Sequence, residues 1–147
     1  RLQPHLLKEV RSSTDDETLG DVIYTFETNV LNTVNTKPEY LNRVKEGFYA
    51  VTHKSYGLGR EYIDDSHDPS GKTGTSQSAT DTNDDDINDT DTVSTAFVGY
   101  APSSSPKMSI TVTSPDSTWE NPRNSYSTLV TRRISKRASD AYFTLYP

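Results

Sequence analysis

The chain has 147 residues, 31% of them hydrophobic, with a mean hydropathy of −0.79 and a formal net charge of −6. This length predicts a single domain over 1–147 with a small core. The lack of cysteine excludes a disulfide framework, a thiolate metal site and a cysteine nucleophile. No apolar run approaches the roughly 20 residues of a transmembrane helix, so no membrane partner is predicted. The chain begins with Arg1, which indicates a removed leader or a piece of a longer protein.

Acidic residues are concentrated in the middle of the chain. Residues 61–100 hold ten acidic residues and one basic residue, whereas residues 101–147 hold six basic and three acidic residues. Blocks of opposite sign in one small chain suit either an internal contact or a repeated contact between copies. The alternative is a solvated acidic loop beside an ordinary surface.

Three helices are predicted in the helical part of the domain, residues 1–60. The longest covers residues 15–34, because its apolar residues follow the spacing of one helix face. These residues are Leu19, Val22, Ile23, Phe26, Val30, Leu31 and Val34. Thr14 and Glu17 form a capping box at its start. A short helix over 4–11 precedes it, and a helix over 38–54 follows it.

The second half of the chain predicts strands. Residues 64–91 show no period and consist mainly of polar residues, so we expect an acidic polar loop there. Alternating residues after it predict a β part over 92–147, with strands at 93–100, 108–112, 126–134 and 141–146. The first two strands should pair as a hairpin. Helices followed by strands indicate an α+β fold, in which N-terminal helices pack on a C-terminal antiparallel sheet of about four strands.

Motifs for common chemistries are missing from the sequence. The three histidines show no metal-ligand spacing, and there is no G-x-S-x-G nucleophile pattern. Gly71-Lys72-Thr73 resembles the end of a phosphate-binding loop, but Ser66 stands where the first glycine is required. Lys72 is therefore interpreted as the lone cation of the acidic stretch. The sequence predicts no catalytic residue, no metal centre and no cofactor.

The run 81–91 is dense in the oxygen ligands that a hard cation such as Ca²⁺ prefers. The candidate metal ligands are Asp84, Asp86, Asp89 and Asp91. The run is not an EF-hand, because Asp86 occupies the glycine position and Thr92 the glutamate position. A solvated or partner-facing acidic loop is the preferred interpretation.

One basic cluster is found, in the C-terminal part of the chain. It consists of Arg132, Arg133, Lys136 and Arg137. Such a cluster can contact a phosphate backbone, but the acidic isoelectric point near 5.0 argues against a nucleic-acid partner. We therefore predict that the cluster binds a protein partner, as do the acidic residues Asp84, Asp85 and Asp86.

A small core, long polar segments and split charge favour a non-enzymatic structural subunit of a larger oligomeric assembly. Its partners would be copies of itself or other subunits. Virus-particle components such as connector, tail or surface proteins fit this profile by analogy, so a virion or extracellular location is favoured over a cytoplasmic one. The alternatives are a small nucleic-acid or ligand-binding module that uses the basic cluster at 132–137, and a small hydrolase.

Overall fold

The computed structural model describes residues 1–13, 18–81, 83–88, 90–118 and 126–147. The elements are β1 (Glu9–Arg11), β2 (Val22–Thr25), α1 (Pro38–His53), a 3-10 turn (Asp65–His67), β3 (Ser70–Thr80), β4 (Thr90–Ala101), β5 (Met108–Thr118) and α2 (Tyr126–Leu145). They form two compact units, Arg1–Pro38 and Glu39–Pro147. That 1–147 is a single domain remains a prediction. Among the described residues, none of the helices is both long and apolar enough to span a membrane.

The first unit is an antiparallel ribbon. Strands β1 and β2 pair, and backbone hydrogen bonds such as Gln3 N to Asn29 O (2.9 Å) extend the ribbon towards its open ends. The predicted helices over 4–11 and 15–34 are therefore wrong where the structure describes them, and the capping box at 14–17 lies outside the described residues. The β-branched Val22 and Ile23 favour a strand, and this unit leaves their apolar side chains exposed.

The second unit contains a three-stranded antiparallel sheet in the order β3-β4-β5. Strands β4 and β5 form the hairpin that the sequence predicts. Strand β3, however, occupies eleven residues of the stretch that we expected to be a polar loop. Its composition of Ser, Thr and Gly conceals a strand, because none of its side chains marks an apolar face.

Residues 126–145 form helix α2 and not the two strands that were predicted there. Helix α2 packs on β4 and β5. Its inner face is formed by Thr131, Ser135 and Ser139, which are fully buried at i, i+4 and i+8. A helix whose buried face carries hydroxyl groups shows no apolar residues at helical spacing. The alternation of residues over 126–134 and 141–146 therefore led to the wrong prediction of strands. The predicted order of N-terminal helices on a C-terminal four-stranded sheet is therefore wrong.

The helix expected over 38–54 is present as α1. It begins at Pro38, a residue that the first helical turn tolerates. After its end the chain folds back tightly, because Gly57 N and Gly59 N donate hydrogen bonds to Lys54 O and Val51 O at 2.8 and 2.9 Å. A side chain at Gly57 would meet the carbonyl of Val51 at 2.3 Å, so this turn requires glycine.

The core of the second unit is small, as the composition predicts. It consists of Tyr62, Ile63, Phe97 and Ala101, with Met108, Ile110 and Phe143 packed around them. Buried Phe97, Gly99 and Ala101 alternate along β4, which places them on one face of the sheet. The core therefore lies beneath the first residues of β3, the strand that pairs with this part of β4.

Candidate active site

Strand β3 is an edge strand and carries Lys72, Thr73 and Gly74. It pairs with β4 on one side, and in the described part of the chain no strand pairs with its other side. An edge strand presents unpaired backbone N–H and C=O groups. An extended peptide can add to such an edge as a further strand. The edge of β3 is therefore a potential peptide-binding surface.

Two paired glycines bring β3 close to the core immediately before Lys72. Gly71 on β3 lies opposite Gly99 on β4. A Cβ atom added to Gly71 would lie 2.6 Å from Cζ of Phe97, and one added to Gly99 would lie 2.7 Å from Cε1 of the same ring. The Phe97 ring thus fills the space that side chains at both positions would need, and it supports the strand from below.

The side chain of Lys72 is exposed on β3, and its ammonium group donates a hydrogen bond to the carbonyl of Thr73. None of the ion pairs found among the described residues involves Lys72. Its charge is therefore available to an anionic group that approaches the strand. Gly74 leaves room beside it, since an added Cβ atom would come no closer than 3.8 Å to Ala96.

A cavity of about 280 Å³ lies beside Lys72 and Thr73. Its other lining residues belong to α1 and the turn after it, namely Gly47, Ala50, Val51, Tyr56, Gly57 and Leu58. The hydroxyl of Thr52 donates to the carbonyl of Pro69 at 2.7 Å and so ties α1 to the start of β3. A second groove of about 520 Å³, lined mainly by Ser and Thr side chains, continues along the sheet from Gly74. Together these surfaces offer one cation, many hydroxyl groups and a strand edge to a ligand.

Two of the four basic residues singled out from the sequence form ion pairs within the chain. Arg132 contacts Glu61 at 2.8 Å, and Lys136 contacts Asp64 at 2.7 Å and Asp140 at 3.3 Å. The hydrogen bond from Lys136 holds the pKa of Asp64 well below its usual range, and Asp64 in turn raises the pKa of Lys136. The ion pairs with Glu61 and Asp64 join α2 to the segment before β3.

The other two basic residues, Arg133 and Arg137, are exposed on α2. Because exposed charges can meet a partner, the predicted protein-binding role of the basic cluster remains a prediction. The structure does not bring this cluster to Lys72, whose cavity is lined by α1 and β3.

The acidic loop between β3 and β4 is organised by its own side chains. The carboxylate of Asp81 accepts backbone hydrogen bonds from Asn83, Asp84 and Asp86 at 2.7–2.9 Å. These bonds, that from Asn83 first, lower the pKa of Asp81. Asp85 accepts a further hydrogen bond from the side chain of Asn83 at 3.1 Å.

The remaining candidate metal ligands are Asp89, which lies outside the described residues, and Asp91, which belongs to β4. Within the described ranges, no three His, Asp or Glu side chains come together in a way that could hold a metal ion. The roles predicted for the acidic residues, in cation or partner binding, are not tested by this arrangement and remain predictions.

Comparisons with known proteins point to one family. The family model of the penicillin binding protein transpeptidase domain matches residues 1–136. Penicillin-binding protein 2A of Bacillus subtilis is 37% identical over 145 residues, which are 99% of this chain and 20% of that protein. Penicillin-binding protein 2B of Streptococcus pneumoniae is 30% identical over 121 residues, which are 80% of this chain and 17% of that protein.

A solved structure is similar over the whole chain. The structure of penicillin-binding protein 2B from Streptococcus pneumoniae strain R6 matches with a TM-score of 0.71 and 28% identity, covering 100% of this chain and 22% of that chain. The chain thus spans about one fifth of the length of the relatives it matches. These matches contradict the prediction of a non-enzymatic structural protein of a virus particle, because a transpeptidase domain is an enzyme domain.

One tripeptide in β3 matches a motif of this family that was not predicted from the sequence. K-T-G is one of three motifs, with S-x-x-K and S-D-N, that mark class A β-lactamases and penicillin-binding proteins. Lys72-Thr73-Gly74 matches it. The overlapping Gly71-Lys72-Thr73 resembles the end of a phosphate-binding loop, and this resemblance obscures the K-T-G. The tripeptide was the available signal, although the strand that should carry it could not be recognised from its composition.

Proposed function

We propose, since the chain belongs to the penicillin-binding protein transpeptidase family, that its gene product cross-links peptidoglycan and that β3 forms one wall of the active site. The observation that carries this proposal is the position of Lys72-Thr73-Gly74 on the open edge of β3, with the Lys72 ammonium group exposed. The extracellular location favoured from the sequence remains a prediction.

The nucleophile of this family is the serine of S-x-x-K. That spacing occurs once in the chain, at Ser104 and Lys107, and S-D-N does not occur. Ser104 is exposed between β4 and β5, and the ammonium group of Lys107 donates to the carbonyl of Pro147 at 3.5 Å. Both side chains are exposed and no hydrogen bond joins them among the described residues, so this pair lacks the contact through which a base activates a nucleophile. We place the nucleophilic serine in the part of the gene product that lies outside these residues.

The proposed reaction is acyl transfer in two steps. The serine oxygen attacks a carbonyl carbon of the donor peptide, an O–C bond forms, and the C–N bond breaks as the leaving amine takes a proton. The amine of a second peptide then attacks the ester and releases the serine. Residues of this chain bind the donor, because the edge of β3 pairs with an extended peptide and Lys72 attracts its carboxylate.

Penicillin tests the proposal, because opening of its lactam by the serine leaves a stable covalent adduct. The full-length gene product should be labelled by fluorescent penicillin, and Lys72→Ala should lower the labelling rate by about 10²-fold. Lys107→Ala is the matched control and should leave the rate unchanged. A parent protein that forms no adduct, or a Lys72→Ala variant that labels at the parent rate, would overturn the proposal.

A further inference from the structure

The Phe97 ring lies between the core and the strand that carries Lys72. Phe97 is fully buried, and its ring atoms approach Gly71 so closely that no side chain fits there. Gly71 directly precedes Lys72 in β3. Because a covalent neighbour follows any displacement of the backbone, the position of the Phe97 ring sets the position of Lys72.

The Phe97 ring is itself held by Tyr62. The two rings stack with centroids 4.4 Å apart and an interplanar angle of 25°. Tyr62 is 3% exposed. On the β4 side, the Cδ1 atom of Ile63 would lie 3.2 Å from a Cβ atom added to Gly99. The segment that contains Tyr62 and Ile63 thus packs directly against the ring.

Contacts with α2 fix this segment in turn. Glu61 has a left-handed backbone conformation (φ 68°), which L residues rarely adopt, and its carboxylate contacts Arg132. Asp64 contacts Lys136. Tyr62 lies between these two residues, so the backbone on both sides of it is connected to α2.

We infer that Tyr62 is a positioning residue for Lys72, acting through Phe97 and Gly71, an inference that rests on the proposed function. Tyr62 is buried and stacks on Phe97. It determines how far β3 lies from the core and therefore where the ammonium group of Lys72 stands along the open edge. A displacement of about 1 Å at such a binding group can cost as much as 10²-fold in rate.

The test measures two quantities on the full-length gene product with fluorescent penicillin. The rate of labelling reports the geometry of the site, whereas the fraction labelled at completion reports how much protein is folded. Tyr62→Leu should slow labelling about tenfold to a hundredfold while the final labelled fraction stays near that of the parent. Tyr62→Phe keeps the stacked ring and should label within about twofold of the parent rate. Tyr146→Leu, the same change at an exposed position, is the matched control.

A second pair of variants covers the case in which Tyr62→Leu fails to fold. Gly99→Ala pushes against the Phe97 ring, which the added Cβ atom would meet at 2.7 Å, and Phe97→Leu removes those ring atoms. Gly99→Ala combined with Phe97→Leu should therefore label several-fold faster than Gly99→Ala alone. A double variant as slow as Gly99→Ala would overturn the inference. So would a Tyr62→Leu variant whose rate equals that of the parent and whose labelled fraction alone falls. Failure of the parent itself to label would instead overturn the proposed function, and the inference with it.

Discussion

Helices α1 and α2 belong to the same unit, but α1 leaves apolar side chains exposed whereas α2 buries hydroxyl side chains. Helix α1 has the apolar spacing that predicts a buried face, yet Leu41 and Val44 are 45% and 56% exposed. Helix α2 buries Thr131, Ser135 and Ser139 completely. The difference teaches that an apolar period identifies a helix and not the surface that it covers, whereas small hydroxyl residues permit close packing on a sheet without any apolar signal.

Burial of hydroxyl groups is possible on α2 because the helix itself satisfies part of their hydrogen bonding. Ser139 Oγ donates to the carbonyls of Ser135 and Lys136 at 2.9 and 2.8 Å. The hydroxyl of Ser135 is buried and finds no partner among the described residues. A buried hydroxyl without a partner costs free energy. We therefore infer that serine occupies position 135 because the contact between α2 and the sheet requires a small side chain.

The largest effect is expected where α2 and the sheet share the core. Phe97→Ala in the 147-residue chain should lower the free energy of unfolding by about 3 to 5 kcal/mol, because a buried ring leaves a cavity between Tyr62 and the two glycines. Denaturant unfolding measures the loss. A change below about 1 kcal/mol would show that the ring is not the centre of the core.

A smaller loss should follow when the hydroxyl face of α2 is enlarged. Ser135→Leu should destabilise the chain by about 1 to 3 kcal/mol, because the fully buried position has no room for two more heavy atoms. Ala138→Leu on the exposed face is the matched control and should change the free energy of unfolding by no more than about 0.5 kcal/mol. Equal effects of the two variants would contradict close packing at Ser135.

The ion pair between Asp64 and Lys136 of α2 should make the stability of the chain depend on pH. The folded pKa of Asp64 is lowered, so its contribution to stability exists above its unfolded pKa, about 3.9, and disappears as pH falls through the folded value. The folded pKa of Lys136 is raised, so its contribution is complete below its unfolded pKa, about 10.4, and disappears as pH rises through the folded value. Asp64→Asn should therefore lower the melting temperature at pH 7, and the difference from the parent should shrink steadily as the pH falls from about 4 to 2. A difference that is constant over this range would exclude an electrostatic origin.

The smallest effect is expected on the exposed face of α1. Val44→Ser should alter the free energy of unfolding of the 147-residue chain by less than about 0.5 kcal/mol, since the side chain is already 56% exposed. Denaturant unfolding of this variant and of Ser135→Leu under the same conditions compares the two helices directly. If Val44→Ser cost as much as Ser135→Leu, the contrast between the helices would be wrong.

The sequence could predict those elements whose signal is local. Helix α1 has its proline start and glycine end, and the β4–β5 hairpin has clear alternation, so both were found. Strand β3 and helix α2 could not be found, because their residues owe their structure to close packing around Gly71 and Ser135, which composition does not reveal.

The ribbon formed by β1 and β2 was also not predicted, for a related reason. Its apolar residues follow helical spacing, but β-branched Val22 and Ile23 form a strand, and its long-range pairing with β1 cannot be seen in a local window. Within the candidate site, K-T-G was the signal that the sequence contained. Its role depended on an edge strand that could not be recognised from composition.

The most direct test is the structure of the full-length gene product after reaction with penicillin. The account predicts that the bound penicillin lies along the open edge of β3, with its carboxylate within about 3.2 Å of the ammonium group of Lys72 or the hydroxyl of Thr73. An adduct on Ser104, or one whose carboxylate contacts neither Lys72 nor Thr73, would contradict the assignment of β3 as a wall of the active site.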